Sequence, residues 1–136
     1  ACVVLKQLAD NAPTIFFVRT REFFDFIWGP LWHADKIIRL SAGRALCACL
    51  AVLSQRTYHL QWYCNIYDMI HEGFHKGTSE SIHGSLLVVR EMLKHTGNFM
   101  LPRFKEVCKA IMQLKDHNSK CVRSAITALL PALALF

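Results

Sequence analysis

Ile38-Arg39-Leu40-Ser41-Ala42-Gly43-Arg44-Ala45-Leu46 decides how this chain folds, because the same pattern returns twice. Its copies are Ile82-His83-Gly84-Ser85-Leu86-Leu87-Val88-Val89-Arg90 and Val122-Arg123-Ser124-Ala125-Ile126-Thr127-Ala128-Leu129-Leu130. Each opens with a β-branched aliphatic and then a basic or imidazole side chain. Apolar or small residues follow at helical spacing. The second copy begins 44 residues after the first, and the third 40 after the second. A unit of that length holds two helices and cannot bury its apolar face alone; neighbours must stack on it. The pattern predicts an all-α stack of antiparallel helix pairs.

Outward from these copies, helical periodicity dominates and no series of strands is legible. Ala1 to Ala9 reads as a partial leading helix within residues 1–11, ending before Asn11 and Pro13. Arg21 to Leu31 sets Phe23, Phe24, Ile27 and Leu31 on one face, with Gly29-Pro30 ending or kinking the helix. Lys36 to Ser54 is long and apolar. Gln61 to Glu72 aligns Trp62, Ile66, Met69 and Ile70. Gly73, Gly77 and the polar run Thr78 to Ser81 read as a loop. Ser81 to Lys94 follows, with a glycine stop in His95-Thr96-Gly97-Asn98. Phe99 to Leu114, a turn over Asp116 to Ser119, and Lys120 to Leu135 complete the series. The helix pairs expected are 20–54, 58–96 and 99–135, in a single domain spanning 1–136.

Apolar residues make up 53% of the 136, enough to bury a core. Both ends are apolar and lack the polar face that caps a solenoid, so the chain reads as a piece of a longer array. No run reaches the roughly 20 apolar residues of a membrane span, and Ala1 to Asn11 lacks the form of a signal peptide. Six cysteines among aliphatic residues suit buried thiols in a reducing compartment, hence a cytoplasmic protein. The net charge of +6 comes from scattered Lys and Arg without interleaved aromatics. That pattern suits an acidic protein surface and gives no reason to expect nucleic acid.

Asp35, Ile38, Arg39, Ala42, Ala45 and Leu46 resemble the second helix of HEAT motifs, as do Asp116, Val122, Arg123 and Leu129. HEAT and armadillo arrays are right-handed α-solenoids. A finer likeness runs through Ala1 to Ala9, Pro13 to Phe17, Phe23 to Ile27, Ala45 to Leu50, Gln61-Trp62-Tyr63, Ile82 to Leu87 and Leu129 to Phe136. In that order they resemble the amino-terminal HEAT region of target of rapamycin (TOR) kinases, over essentially the whole chain. His33-Ala34 stands where that family tends to have Asp-Pro, and the connection after the Ile-His-Gly helix is short. The resemblance implies a serine/threonine kinase of nutrient and growth signalling whose parent complex is recruited to endomembrane surfaces. In that family the solenoid supports dimeric assembly and, with neighbouring repeats, binds the regulatory subunit raptor. No glycine-rich phosphate loop, His-Arg-Asp-like loop or Asp-Phe-Gly is legible here, so the chain is expected to be scaffold without catalysis or cofactor. A HEAT adaptor or transport receptor outside kinases is the alternative.

His71-Glu72-Gly73-Phe74-His75 matches the His-Glu-x-x-His pattern, which on a helix sets two imidazoles on one face for zinc. Glu91 or His95 could supply a third ligand to such a zinc hydrolase. Gly73 and the adjoining polar run place the motif on a fraying helix end, so surface histidines are the expectation and no metal is assigned. Cys47-x-Cys49 has the wrong spacing for a knuckle or redox pair and reads as core packing. A Cys/His nucleophile pair stays open, with no glycine-rich turn to support it. Arg39 and Arg123 share a repeat position and are expected to ladder with Asp35 and Asp116. With Arg44, Arg90 and Lys94 they also make a positive face for an acidic partner segment. Phe26, Trp28 and Trp32 fall off the main apolar face. They are expected to pack on a partner or on a neighbouring repeat, and Trp28 and Trp32 are the candidate partner anchors.

Overall fold

The computed structural model describes residues 20–54 and 60–135. In chain order the helices are α1 (Thr20–Leu31), α2 (Lys36–Leu53), α3 (Leu60–Lys76), α4 (Ser79–His95), a single turn α5 (Gly97–Met100), α6 (Phe104–Gln113) and α7 (Lys120–Ala134). A 3₁₀ turn, Leu101–Arg103, joins α5 to α6 around Pro102. Among the described residues there is no strand. The leading helix expected over Ala1 to Ala9 lies outside them, as do Phe16 and Phe17.

The apolar stripes face inward as their spacing requires. Phe23, Phe24, Ile27 and Leu31 of α1 are buried, and the helix stops one residue after Pro30. Leu46, Leu50 and Leu53 of α2 join Ile66 and Ile70 of α3 and Leu86 and Met92 of α4 in one core. Each such side chain contributes roughly 1.5–3 kcal/mol when fully buried.

Glycine chemistry sets the connections differently from the expectation. Gly73 is inside α3, not in a loop, and the helix runs on to Lys76. Its missing side chain makes room for tertiary neighbours, because a Cβ there would overlap the Ser85 hydroxyl and press on Trp32. The glycine that ends α3 is Gly77, at φ +71, the left-handed conformation that closes a helix. Thr78 then caps α4 by accepting from Ser81 N, at 3.1 Å, so the connection is two residues long. Gly97 is no stop either. Only Thr96, at φ −130, separates α4 from α5.

The helices form two layers. In the first, α1, α3 and α6 lie in sequence: Phe24 stacks on Trp62 at 5.3 Å, and the Tyr67 hydroxyl donates to Glu106 at 2.9 Å. In the second, α4 is flanked by α2 and α7. The α2 and α4 helices run parallel, since Arg39 meets His83 near their starts, Gly43 faces Leu87, and Cys47 meets His95 further on. Neighbours along the chain run antiparallel, as in α3 and α4, where the Ser81 hydroxyl donates to Gly73 O at 2.8 Å. The interhelix distance at one crossing is set by Gly84: a Cβ there would overlap the Leu31 carbonyl oxygen.

Candidate functional site

Arg39 is 5% exposed and satisfies three acceptors. One terminal nitrogen donates to His33 O (2.8 Å) and Ala34 O (2.9 Å), and Nε donates to His83 Nδ1 (2.9 Å). Arg123 repeats the first two bonds at the same offsets, to His117 O (2.6 Å) and Asn118 O (2.9 Å). Both turns carry a histidine whose Nδ1 accepts a backbone N–H two residues on, Asp35 N at 2.9 Å and Ser119 N at 3.1 Å. The ladder therefore uses turn carbonyls, not the Asp35 and Asp116 carboxylates. Chain reversal leaves those carbonyls without helical partners, and a guanidinium fork fits two of them at once. The Asp35 side chain caps α2 instead, accepting from Ile37 N at 2.9 Å. At the equivalent place in the middle repeat stands His83. Burial first, then the positive charges of Arg39 and Lys36, hold its pKa down at about 4. It is thus a neutral acceptor for the arginine one repeat earlier.

The residues expected to dock a partner separate into two groups. Arg39 and Trp28 are buried, and Trp32 is half-buried. The two indoles lie 5.5 Å apart, and Trp32 Nε1 donates to the Ser85 hydroxyl at 3.3 Å. These three hold helices to one another. Arg44, Arg90, Lys94 and Arg123 are exposed. Arg90 and Lys94 lie one turn apart on α4 and, with Leu93, Ala132 and Leu135, line a cavity of about 370 Å³. Among the aromatics of α1 the exposed one is Phe26, at 43%.

His71-Glu72-x-x-His75 lies in the last helical turns of α3, which is intact through Gly73, so the fraying expected of the motif is absent. His71 packs its ring edge-on to Tyr67 at 4.6 Å, with Nε2 3.5 Å from Glu106 Oε1. His75 and Glu72 are exposed. Glu91 and His95, the suggested third ligands, belong to a different cluster.

Motif spacing does not mark that cluster as a group. Cys47 Sγ lies 3.3 Å from His95 Nε2, and Glu91 Oε2 lies 3.8 Å from the same nitrogen. The three ligand atoms fall within 4.8 Å of one another. Cys47 and Glu91 are 44 residues apart, the same step that brings Arg39 onto His83. Repeat register was thus the signal that could have found them. A cysteine nucleophile needs its base held by an acid on the opposite ring nitrogen. Here both contacts converge on Nε2. Burial, with Glu91 adding to it, also pushes the Cys47 thiol up to about 11, away from the reactive thiolate. The arrangement does not build a nucleophile.

Paired helices in two layers, with the same turn clamp recurring along the stack, define an α-helical repeat protein. No family model matches the chain. Its sequence is 40% identical over 139 residues to the serine/threonine-protein kinase TOR of Arabidopsis thaliana, and 41% identical over 137 residues to that of Oryza sativa. It is 33% identical over 138 residues to TOR2 of Saccharomyces cerevisiae. These matches cover 98–100% of the chain but only 6% of each relative's length. The chain belongs to the TOR family, as one segment of such a protein.

Proposed function

We propose that this segment is a non-catalytic scaffold of a TOR-type kinase, within its amino-terminal helical-repeat array, and that it docks a protein partner there. The partner is a raptor-type regulatory subunit, and the stack supports dimeric assembly of the parent in the cytoplasm. The observation that carries the reading is the exposed Arg90–Lys94 pair beside Leu93, Ala132 and Leu135. Apolar floor and cationic rim suit a short segment with apolar and acidic side chains. The apolar contact would supply affinity and the charges steering and register. Arg44 extends the positive potential on α2. Arg39, Trp28 and Trp32 act one step back, by fixing the helices that present this surface.

The test is charge reversal of Arg44, Arg90 and Lys94 to Glu in the intact parent kinase. Co-purification of the raptor-type subunit should fall about tenfold or more, each tenfold being about 1.4 kcal/mol, while phosphorylation of a short peptide substrate stays unchanged. Undiminished co-purification would contradict the proposal.

A further inference from the structure

We propose that Cys47, Glu91 and His95 bind a single divalent metal ion of the zinc class, clasping α2 to α4. Thiolate, carboxylate and imidazole are the donor types zinc takes in sites with three protein ligands and one exchangeable position. Tetrahedral bonds of the usual lengths separate sulfur from nitrogen by about 3.5 Å and nitrogen from oxygen by about 3.4 Å. The observed separations are 3.3 Å and 3.8 Å. Glu91 and His95 stand four residues apart on one helical face, and Cys47 reaches them from the parallel helix.

A second observation points to a cation independently of the spacing. Glu91 Oε2 is buried with no hydrogen-bond partner of its own, and the donor nearest its carboxylate is the weak Cys47 thiol. Leaving a carboxylate oxygen without a donor is costly, and a bound cation removes that cost. The convergence of both neighbours on one imidazole nitrogen, which spoils a catalytic triad, is what ligands around one ion require. His95 also lines a groove of about 410 Å³ with Ser54, Tyr63, Thr96 and Phe99. Arg90 and Lys94 oppose binding by their charge, and Glu91 favours it. Binding releases the Cys47 thiol proton to solvent, leaving thiolate on the metal. Cys49 is fully buried and stays out of the site, as expected for thiols two residues apart on a helix.

The experiment uses the chain with exposed Cys64 changed to Ser, and Co²⁺ as the spectroscopic probe. One equivalent should give a thiolate-to-cobalt charge-transfer band with the intense visible absorption of four-coordinate cobalt, and Zn²⁺ should displace it. Cys47→Ser should abolish the charge-transfer band and weaken binding about 100-fold or more, beyond the 10–100-fold typical of outer-shell changes. His71→Ala should change neither. Circular dichroism checks that each variant is helical. Should Cys47→Ser not fold, His95→Gln decides: the thiol remains, and the tetrahedral cobalt spectrum must be lost. No charge-transfer band in the starting protein, a band surviving Cys47→Ser, or a tetrahedral cobalt spectrum surviving His95→Gln, would overturn the site.

Discussion

Gly84 and Gly43 make opposite demands at equivalent-looking helical positions. A methyl group at Gly84 would overlap the Leu31 carbonyl oxygen, which cannot move without shifting the end of α1. Gly84→Ala should therefore destabilise by about 2 kcal/mol, although alanine is the better helix former. At Gly43 the added carbon would sit 3.7 Å from Leu87 Cβ, an ordinary contact, so Gly43→Ala should stabilise by about 0.5–1 kcal/mol. Urea denaturation of both variants checks the pair. His83 gives a pH signature. Its pKa lies near 6.5 unfolded and about 4 folded, so between those values the unfolded chain binds the extra proton. Stability is full above about pH 6.5 and falls as pH drops toward 4, by up to about 3 kcal/mol. His95, lowered chiefly by burial, adds in the same direction. His83→Asn keeps an acceptor for Arg39 and should flatten the profile in denaturation midpoints measured between pH 4 and 7.

At the scale of elements, the two turn clamps offer a comparison at matched geometry. Arg39 bonds two carbonyls and a buried imidazole, whereas Arg123 bonds two carbonyls that water reaches. Arg39→Met should cost about 3 kcal/mol, because the buried His83 acceptor and two part-buried carbonyls lose their donor. Arg123→Met should cost about 1 kcal/mol or less, since solvent replaces the lost bonds. Equal losses in thermal or chemical denaturation would contradict this. The helices themselves were legible in sequence wherever one face repeats: Phe23, Phe24, Ile27 and Leu31 are an instance, and α1 carries Pro30 inside it and ends one residue later. Gly73 sits in a helix although its sequence context suggests a loop, because a glycine looks the same in a loop and at a tight crossing. Trp32 and Ser85, which explain it, come from two other elements. Arg39 bonds turn carbonyls where its spacing suggests a carboxylate, since sequence spacing does not reveal which turn carbonyls face inward. The repeat step of 44 residues nonetheless contained the Arg39–His83 and Cys47–Glu91 neighbours. In parallel helices of successive repeats, equivalent positions adjoin.

At the scale of the whole molecule, a stack divides labour between its interior and its rims. Arg39, Trp28 and Trp32 are drawn inside because each has a polar handle that finds a partner or a ring to pack on. Arg44, Arg90 and Lys94 remain on the outside, where their worth to stability is small and their field reaches about a Debye length, roughly 8–10 Å in physiological salt. The docking proposed for this surface combines charge and apolar contact, so its affinity should depend on ionic strength. The most direct measurement is calorimetric binding of a purified raptor-type subunit to the 136-residue chain at low and high salt. It would be repeated with Arg44, Arg90 and Lys94 reversed to Glu and Arg39 kept intact to hold the fold. Binding should weaken with salt and be lost on reversal, with helical content unchanged. Absence of binding by a fully helical chain, or binding indifferent to both salt and reversal, would contradict the proposed docking.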